Sequence, residues 1–316
     1  MIARRALLGA ALATPALAQP AFPDRPVRLI VSYSAGGVAD TCCRILQQKV
    51  GEALGQPLVI ENRTGASGAL GGAFVAQSAP DGYTLLVEGV TSITLPAANK
   101  SLPLDYSTLV PVTQITQAPY VLGVRRDFPA EDLRGFLAEA RRRPGEVTFG
   151  TPGIAHIGHL MGELMQLLAG VRLEHVPYRG GADAARDLIG QRIDAAIISE
   201  SSLQPAFANG ARPFGVTGAR RRPNLPGTPA IGEVLPGYDL ATWMVIFAPP
   251  ATPAPLVERL GAAFRHATGD ATVRARLDQT GNDAVVSTAA EAAALVARDR
   301  VILTQLIRQA GLLASG

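Results

Sequence analysis

The feature that most constrains the fold of this sequence is a repeated order of short apolar run, glycine-rich turn and amphipathic helix. The run 27–33 (VRLIVSY) is rich in β-branched residues and precedes the turn SAGGVAD. A helix then shows apolar residues at helical spacing, namely Ile45, Leu46, Val50, Ala53 and Leu54. Gly55 ends this helix, and strands at 57–62 and 83–89 continue the order with a second helix between them. Alternating strands and helices predict a mostly parallel sheet that helices cover on both faces.

The same order restarts after the run YVLGVRRD (120–127), which predicts a second α/β unit of similar size. Its strands and the return strand are predicted at 146–150, 172–178, 194–199, 214–218 and 242–250. The tail is helical, and a capping box from Thr288 to Glu291 opens the last helix. The chain therefore has the elements of two helix-covered sheets.

Two stretches, near 111–124 and 242–248, are candidate crossings between these units. We predict that residues 22–122 and 243–316 form lobe I, which is discontinuous, and that residues 123–242 form lobe II. A chain that crosses twice makes a hinge, and the cleft between two lobes is where a ligand would bind.

The first 18 residues have the composition of an export signal. Arg4 and Arg5 precede an apolar run that is too short to span a bilayer, and Ala16-Leu17-Ala18 matches an A-x-A cleavage site. We therefore expect cleavage after Ala18 and a periplasmic protein. The arginine pair fits a twin-arginine signal as well as a general secretory one, so the sequence leaves Sec and Tat export open. The alternative for this run is a buried core helix.

Composition excludes several classes of function. About 300 residues follow the signal, enough for two domains of about 150 each. The formal net charge of +3 includes the two leader arginines, so the remaining chain is nearly balanced and lacks the clustered basic face of a nucleic-acid binder. No later apolar run has the length of a membrane helix, which predicts a soluble product. Cys42 and Cys43 are adjacent and cannot easily form a disulfide, so we expect a buried pair.

The turn SAGGVAD has the chemistry of an anion site. It follows a strand and opens a helix, so glycines at 36 and 37 let a ligand approach free N–H groups at the positive end of the helix dipole. The alternative is an ordinary turn with Asp40 as the helix cap. GASG (65–68) and TPGIAH (151–156) repeat the same pattern, and ligands in open α/β sheets bind beyond the strand ends where such loops meet.

Catalytic and metal motifs fit poorly. The stretch GTPGIAHIGH (150–159) contains the HIGH string of class I aminoacyl-tRNA synthetases, but that signature needs a later lysine-rich loop and no lysine follows Lys100. His156 and His159 lack neighbouring residues that would complete a zinc site. No nucleophile elbow or phosphate-binding loop occurs. We predict no metal and no cofactor. An exported small-acid hydrolase stays open as an alternative, with His156 beside a serine or Asp40 as its candidate pair.

Many ordered segments, from about residue 22 to the end, resemble the periplasmic receptors of tripartite tricarboxylate transporters, the Bug-type binding proteins. They include FPDRPVRLIV, GGVAD, LGQPLVIENRTGASGALG, APDGYTLL, HLMGEL, HVPYRGG and RRRPNLPGTPAIGEVLPGYDLATW. The resemblance implies a two-lobed, type II-like Venus flytrap that is not an enzyme. It would bind a small carboxylate, deliver it to membrane permease subunits and act as a monomer. A receptor that presents its ligand to a sensor kinase is a further alternative.

The resemblance also implies which residues line the cleft. One carboxylate would lie on the first loop and its neighbours, Tyr33, Ser34, Ala35, Gly36, Gly37 and Asp40. The other lobe would contribute Thr151, Gly153, Ala155 and His156. Further candidates are Gly65, Ser67, Thr91, Ser92, Tyr178, Glu200 and Trp243. Tyr178 and Trp243 also fit an alternative role as core aromatic residues.

The sequence departs from similar receptors at four places. Those receptors usually carry Pro-Phe at 32–33, where this chain has Ser-Tyr, and a glycine where Ala155 stands. They usually have a serine or threonine in place of His156, and an aspartate where Ser199 or Glu200 follows a strand. An imidazole in place of a hydroxyl would change which distal group of the ligand is accepted. We expect these departures to affect the identity of the ligand and not the mode of binding, and we expect His159 to pack against or cap its helix.

Overall fold

The computed structural model of the protein describes residues 22–65, 68–98 and 105–312. The predicted leader, residues 1–18, and the candidate residue Ser67 lie outside the described residues. The described chain contains two β-sheets with helices packed against them. This arrangement confirms the predicted α/β class with one sheet in each of two lobes.

The strands lie close to the predicted positions. In chain order they are β1 (Val27–Val31), β2 (Leu58–Asn62), β3 (Thr84–Gly89), β4 (Val110–Ala118), β5 (Tyr120–Val124), β6 (Thr148–Thr151), β7 (Glu174–Pro177), β8 (Ala195–Ser199), β9 (Arg212–Val216), β10 (Thr242–Ala248) and β11 (Asp283–Ala284). The helices are α1 (Val38–Leu54), α2 (Ala69–Ala76), α3 (Thr91–Ala98), α4 (Leu133–Arg142), α5 (Ile157–Ala169), α6 (Gly181–Ile189), α7 (Glu200–Ala208), α8 (Ala254–Gly269), α9 (Ala271–Asp278) and α10 (Ala289–Gln309). Short 3-10 helices lie at Tyr106–Thr108 and Ile231–Glu233.

Two local signals read from the sequence are confirmed. Gly55 ends α1 with a left-handed backbone (φ 76°), a conformation that glycine adopts without steric cost. At α10, the hydroxyl of Thr288 accepts the N–H of Glu291, and the carboxylate of Glu291 accepts the N–H of Thr288. Both devices satisfy backbone groups that the helix itself leaves free.

Each sheet contains a parallel group and a reversed strand. The strand orders are β11-β4-β10-β3-β1-β2 and β7-β6-β8-β5-β9. Strand β1 is parallel to β2 and β3, and β6 is parallel to β7 and β8. Strand β10 is antiparallel to β3 and β4, and β5 is antiparallel to β8 and β9. Apart from the two-residue β11, one strand of each sheet is thus reversed within the described residues, which agrees with the predicted mostly parallel sheets.

The reversed strands are those through which the chain enters a sheet from the other one. Strand β4 ends in the first sheet and β5 begins in the second, so Pro119 alone separates them. The chain returns to the first sheet at β10. The predicted lobe limits at 122/123 and 242/243 each fall inside one of these strands. Residues 120–122, which we predicted in lobe I, therefore belong to a strand of the second sheet, and Thr242, which we predicted in lobe II, belongs to the first. Both crossings lie earlier in the chain than we predicted, because β5 is paired within the second sheet, and β10 within the first, from its first residue to its last.

The central strands are buried on both faces. In β1, Leu29 and Ile30 point to opposite sides of the sheet and are both fully buried. The same holds for residues 195–198 of β8. Helices that cover both faces account for these continuous apolar runs. Cys42 and Cys43 lie on the buried side of α1 and form no disulfide, as predicted.

Candidate ligand-binding site

A cavity of about 670 Å³ lies between the two sheets, and residues of both line it. The lobe of the first sheet contributes residues 33–34, 37–39 and 87–91. The lobe of the second sheet contributes residues 155–157 and 199–201. The rest of the wall consists of Thr94, Thr116, the crossing segment 118–120, the return strand at 242–244 and the loop at 280–282. We call this cavity the cleft.

The first loop, SAGG, connects β1 to α1. Gly36 has a left-handed backbone (φ 78°), and the N–H of Gly37 donates to the carbonyl of Ser34 at 3.1 Å. Gly37 is the N-cap of α1, and no side chain caps this helix. Val38 and Ala39 of its first turn line the cleft, where their N–H groups and the positive end of the helix dipole favour an anion.

Asp40 was predicted at the ligand, but it lies beneath the loop and is buried, away from the cleft lining. Its carboxylate accepts the N–H of Gly36 at 2.8 Å and the amide of Asn62 at 3.0 Å, and it pairs with Arg44 at 2.8 Å. The hydrogen bonds from Arg44 lower the pKa of Asp40 to about 2. The carboxylate and the Gly36 N–H are thus both occupied. Asp40 therefore holds the shape of the loop, and it does not act as the helix cap.

The second loop brings His156 to the cleft from the other lobe. His156 is the N-cap of α5, and its Nδ1 accepts the N–H of Gly158 at 3.2 Å. Burial lowers the pKa of His156, so the neutral ring is favoured and carries its proton on Nε2. The ring stacks on Tyr120 with centroids 5.9 Å apart. Ala155 before it has a positive φ of 58°, a strained value for a residue with a Cβ.

His159 does not face the cleft. Its Nδ1 accepts the N–H of Ala155 at 3.1 Å, and its ring stacks on His175 with centroids 3.8 Å apart. Nε2 of His175 lies 2.7 Å from Oγ1 of Thr151, so the hydroxyl of this predicted ligand contact is occupied. His159 thus has the packing and capping role expected for it. Among the described residues, no group of three or more His, Cys, Asp or Glu is placed to hold a metal ion.

Glu200, a predicted site residue, reaches the cleft at the start of α7 together with Ser199 and Ser201. Its carboxylate accepts hydrogen bonds from Asn224 and, at 3.3 Å, from Arg222. Arg222 is also paired with Asp283 beside β4 of the first sheet. A buried guanidinium therefore connects the two lobes at the edge of the cleft, which the sequence did not indicate.

Trp243 and Tyr178, the predicted contacts with an alternative role in the core, have different positions. Trp243 lines the cleft but is only 2% exposed, and its indole N–H donates to the buried carboxylate of Asp299 at 2.8 Å. Tyr178 is not in the cleft lining, and its hydroxyl donates to Asp187 at 3.0 Å. The polar groups of both rings are used inside the protein. The core alternative therefore describes Tyr178, and Trp243 offers only part of its ring surface.

Six other predicted residues fall outside the cleft lining: Ala35, Gly36, Gly65, Ser92, Thr151 and Gly153. Ser92 is buried and its hydroxyl donates to the carbonyl of Gly89 at 2.7 Å. Ala35 and Gly36 lie on the exposed outer side of the first loop. The sequence pattern places all six in strand-end loops, but it does not tell which side of a loop meets the ligand.

Several cleft residues were not predicted. They include Glu88, Thr94, Thr116, Tyr120, Ser199, Ser201, Met244 and Asn282. Glu88 had a usable signal, since it is a carboxylate at the end of the apolar run YTLLVEG and a buried acid often marks a functional site. Asn282 and Met244 had none, because distant segments bring them to the cleft.

The cleft offers backbone N–H groups and helix dipoles to an anion in place of cationic side chains. Among the described residues that line it there is no lysine or arginine, and its acidic members are Glu88 and Glu200. Helices α1 and α5 both begin at the cleft wall, one in each lobe. Their N-terminal N–H groups and dipoles supply the favourable potential for a negative group.

The model of the tripartite tricarboxylate transporter family receptor matches residues 42–312. This chain belongs to that family. A UPF0065 protein in the tcbD-tcbE intergenic region of Pseudomonas sp. strain P51 is 37% identical over 287 residues, which cover 88% of this chain and 85% of that protein. The match to the family extends over both lobes of the described structure.

Solved structures of similar proteins have the same fold. A TctC solute-binding protein from Polaromonas superposes with a TM-score of 0.84 at 27% identity, covering 91% of this chain and 99% of its own. The R. palustris protein Rpa4515 with adipate has a TM-score of 0.72 at 30% identity, covering 93% and 100%. MatC from Rhodopseudomonas palustris with bound malate has a TM-score of 0.67 at 29% identity, covering 90% and 100%.

Membership of the receptor family decides the class of function. The family consists of periplasmic solute-binding receptors and not of enzymes, so the hydrolase alternative does not apply to this chain. In the described part of the chain, no helix combines the length and the apolar character that crossing a membrane requires.

Proposed function

We propose that this receptor captures a small carboxylate in the cleft and delivers it to the permease subunits of a tripartite tricarboxylate transporter. The observation that carries the proposal is that α1 and α5, from opposite lobes, both begin at one cleft whose described lining has no lysine or arginine. The carboxylates malate and adipate in two solved relatives support the same class of ligand.

In this proposal, each lobe contacts one part of the ligand. In the first lobe, the N–H groups of Val38 and Ala39 and the exposed hydroxyl of Ser34 would hold a carboxylate. In the second lobe, Nε2–H of His156 and the N–H of Ile157 would meet the distal part of the ligand. Because these contacts lie on different lobes, we propose that the ligand favours the closed arrangement of the lobes.

A thermal-unfolding panel of mono-, di- and tricarboxylates, each beside its uncharged amide, tests the class of ligand. At 100 times its dissociation constant a ligand stabilises the folded state by about 2.7 kcal/mol. We expect acids to stabilise the protein and their amides to have no effect, and mass spectrometry should recover the acid unchanged. Stabilisation by the amides to the same extent, or by no acid at all, contradicts the proposal.

Val38→Pro tests the helix terminus directly. Val38 is the first residue of α1, a position where proline fits the helix, removes the backbone N–H and leaves an apolar side chain of similar size at the cleft. A hydrogen bond to a charged group contributes about 1.5–3 kcal/mol, so we expect affinity to fall by about tenfold or more. Ala289→Pro makes the same change at the first residue of α10, away from the cleft, and is the matched control. Equal affinities of the two variants would show that α1 does not hold the carboxylate.

We further propose that residues 1–18 are a leader removed after Ala18 and that the receptor acts as a monomer in the periplasm. The mass of the protein in a periplasmic fraction tests the cleavage position. Light scattering with and without ligand tests the monomer. Replacing Arg4 and Arg5 by lysine is expected to block export only if the twin-arginine route is used.

A further inference from the structure

Three side chains of the cleft wall in the first lobe are joined by hydrogen bonds. The hydroxyl of Tyr33 donates to Oε1 of Glu88, and Oγ1 of Thr91 donates to the same oxygen at 2.8 Å. The N–H of Gly89 also donates to this oxygen at 2.8 Å. All four residues line the cleft. One carboxyl oxygen therefore collects three donors.

The surroundings of Glu88 determine where its proton lies. Because Oε1 is surrounded by donors, it acts as an acceptor, and a protonated Glu88 carries its proton on Oε2. The side chain is 1% exposed, and burial raises the pKa of Glu88. Oε2 is buried and makes no hydrogen bond of ordinary geometry among the described residues, while the nearby hydroxyl of Ser32 offsets part of the effect of burial on the pKa. The neutral carboxyl still accepts at Oε1 in the same geometry.

This arrangement leaves the two hydroxyl oxygens as acceptors. The protons of Tyr33 and Thr91 are directed into their small network, which also includes a short contact between the two hydroxyls. Tyr33 is half-buried and Thr91 is exposed, so their remaining lone pairs are open to the cleft. A ligand carboxylate brought to this wall meets only acceptors, whereas a ligand O–H group finds a partner.

We propose that Tyr33 and Thr91, oriented by Glu88, form an acceptor subsite for a hydroxyl group, so that the receptor selects a hydroxy-carboxylate over the same acid without its hydroxyl. This inference rests on the proposed function, with the carboxylate at the start of α1. Tyr33 directly precedes the first loop, so the hydroxyl group of the ligand would lie near the ligand carboxylate that this loop holds. A hydroxyl suits this wall better than an ammonium, because a buried charge needs a compensating charge.

Matched pairs of acids test the inference by isothermal titration calorimetry. The panel contains succinate, malate and aspartate, glutarate, 2-hydroxyglutarate and glutamate, and the corresponding six-carbon set. Among the acids of the chain length that binds most tightly, we expect the hydroxy acid to bind at least about tenfold more tightly than the unsubstituted acid. Equal binding of the two refutes the subsite while leaving a carboxylate receptor. Tighter binding of the amino acid refutes the assignment of a hydroxyl, and failure of every acid to bind refutes the proposed function itself.

Variants locate the preference. Tyr33→Phe removes one acceptor, and the affinity ratio of hydroxy acid to unsubstituted acid is expected to fall below about threefold, with Thr91→Val lowering it as well. Tyr83→Phe is the matched control, because its hydroxyl bonds to Asp24 away from the cleft, and it should keep the wild-type ratio. A wild-type ratio in both Tyr33→Phe and Thr91→Val would overturn the subsite. The ratio is informative even if a variant is less stable, since both acids are measured on the same protein.

Discussion

Replacing Arg222 by methionine is expected to weaken ligand binding by about tenfold, because this residue connects the two lobes at the edge of the cleft. Its guanidinium lies 3.3 Å from the carboxylate of Glu200 in the second lobe and pairs with Asp283 in the first. A weaker contact reaches Asp278 at 3.7 Å. The Arg222 side chain is 4% exposed, so water screens these charges only partly. The bridge exists only while the lobes are close together.

The magnitude follows from the burial of the partners. Two unit charges 4 Å apart interact by about 4 kcal/mol at an effective dielectric constant of 20. Desolvation of the guanidinium offsets a large part of this attraction. Asp283 is 35% exposed, so solvent screening weakens its attraction to Arg222. About 1–2 kcal/mol remains for the connection between the lobes, which corresponds to roughly 5–30-fold in a closing equilibrium. Methionine keeps much of the apolar stem and removes the charge.

Calorimetric titration with the tightest-binding acid measures the effect, and urea unfolding separates it from lost stability. Arg221→Met is the matched control, because the neighbouring Arg221 pairs with Glu233 at 2.6 Å within one lobe and both side chains are exposed. Such a surface pair contributes little, so we expect an affinity within about twofold of wild type. If the two variants lose the same affinity, or if Arg222→Met loses stability without losing affinity, the bridge does not assist closure.

Three further changes test parts of the site. Asp40→Asn should lower the free energy of unfolding by about 1–2 kcal/mol in urea, because the N–H of Gly36 and the loop lose a charged partner. In the wild-type protein, the stabilisation by the Asp40 carboxylate should be lost as pH falls from about 4 towards 2. Burial lowers the pKa of His175 to about 4 in the folded protein, so as pH falls the unfolded protein takes up this proton before the folded protein does. The free energy of unfolding should therefore fall between pH 6.5 and 4, and it should fall less in His175→Gln. Identical pH curves for the two proteins would contradict this. Gly158→Ala places a methyl group 2.5 Å from a backbone carbonyl of β8 and should cost about 2 kcal/mol in thermal unfolding, whereas Gly180→Ala, which meets no atom within 4 Å, is the control.

The sequence alone determined the order of elements and the class of the protein. The run VRLIV requires burial on both faces, and the glycine at 55 and the box from Thr288 to Glu291 mark helix ends, so these features are encoded within a few neighbouring residues. The three strand-end loops and the family segments are equally local. For this reason the two-lobed fold, the receptor family and the placement of the first loop and of His156 at the cleft follow from the sequence.

The tertiary structure decided which polar side chains face the cleft and which face the interior of the protein. Thr151 ends β6, Tyr178 follows β7 and Asp40 lies in the first turn of α1, all near strand ends as expected. The polar group of each is nevertheless satisfied by a residue of another element. Glu88 and Tyr33 are 55 positions apart, and Arg222 and Asp283 are 61 apart. Strand and helix periodicities report whether a residue is buried, but the partner of a polar group depends on which elements meet. That information arises only when the two sheets and their loops are assembled.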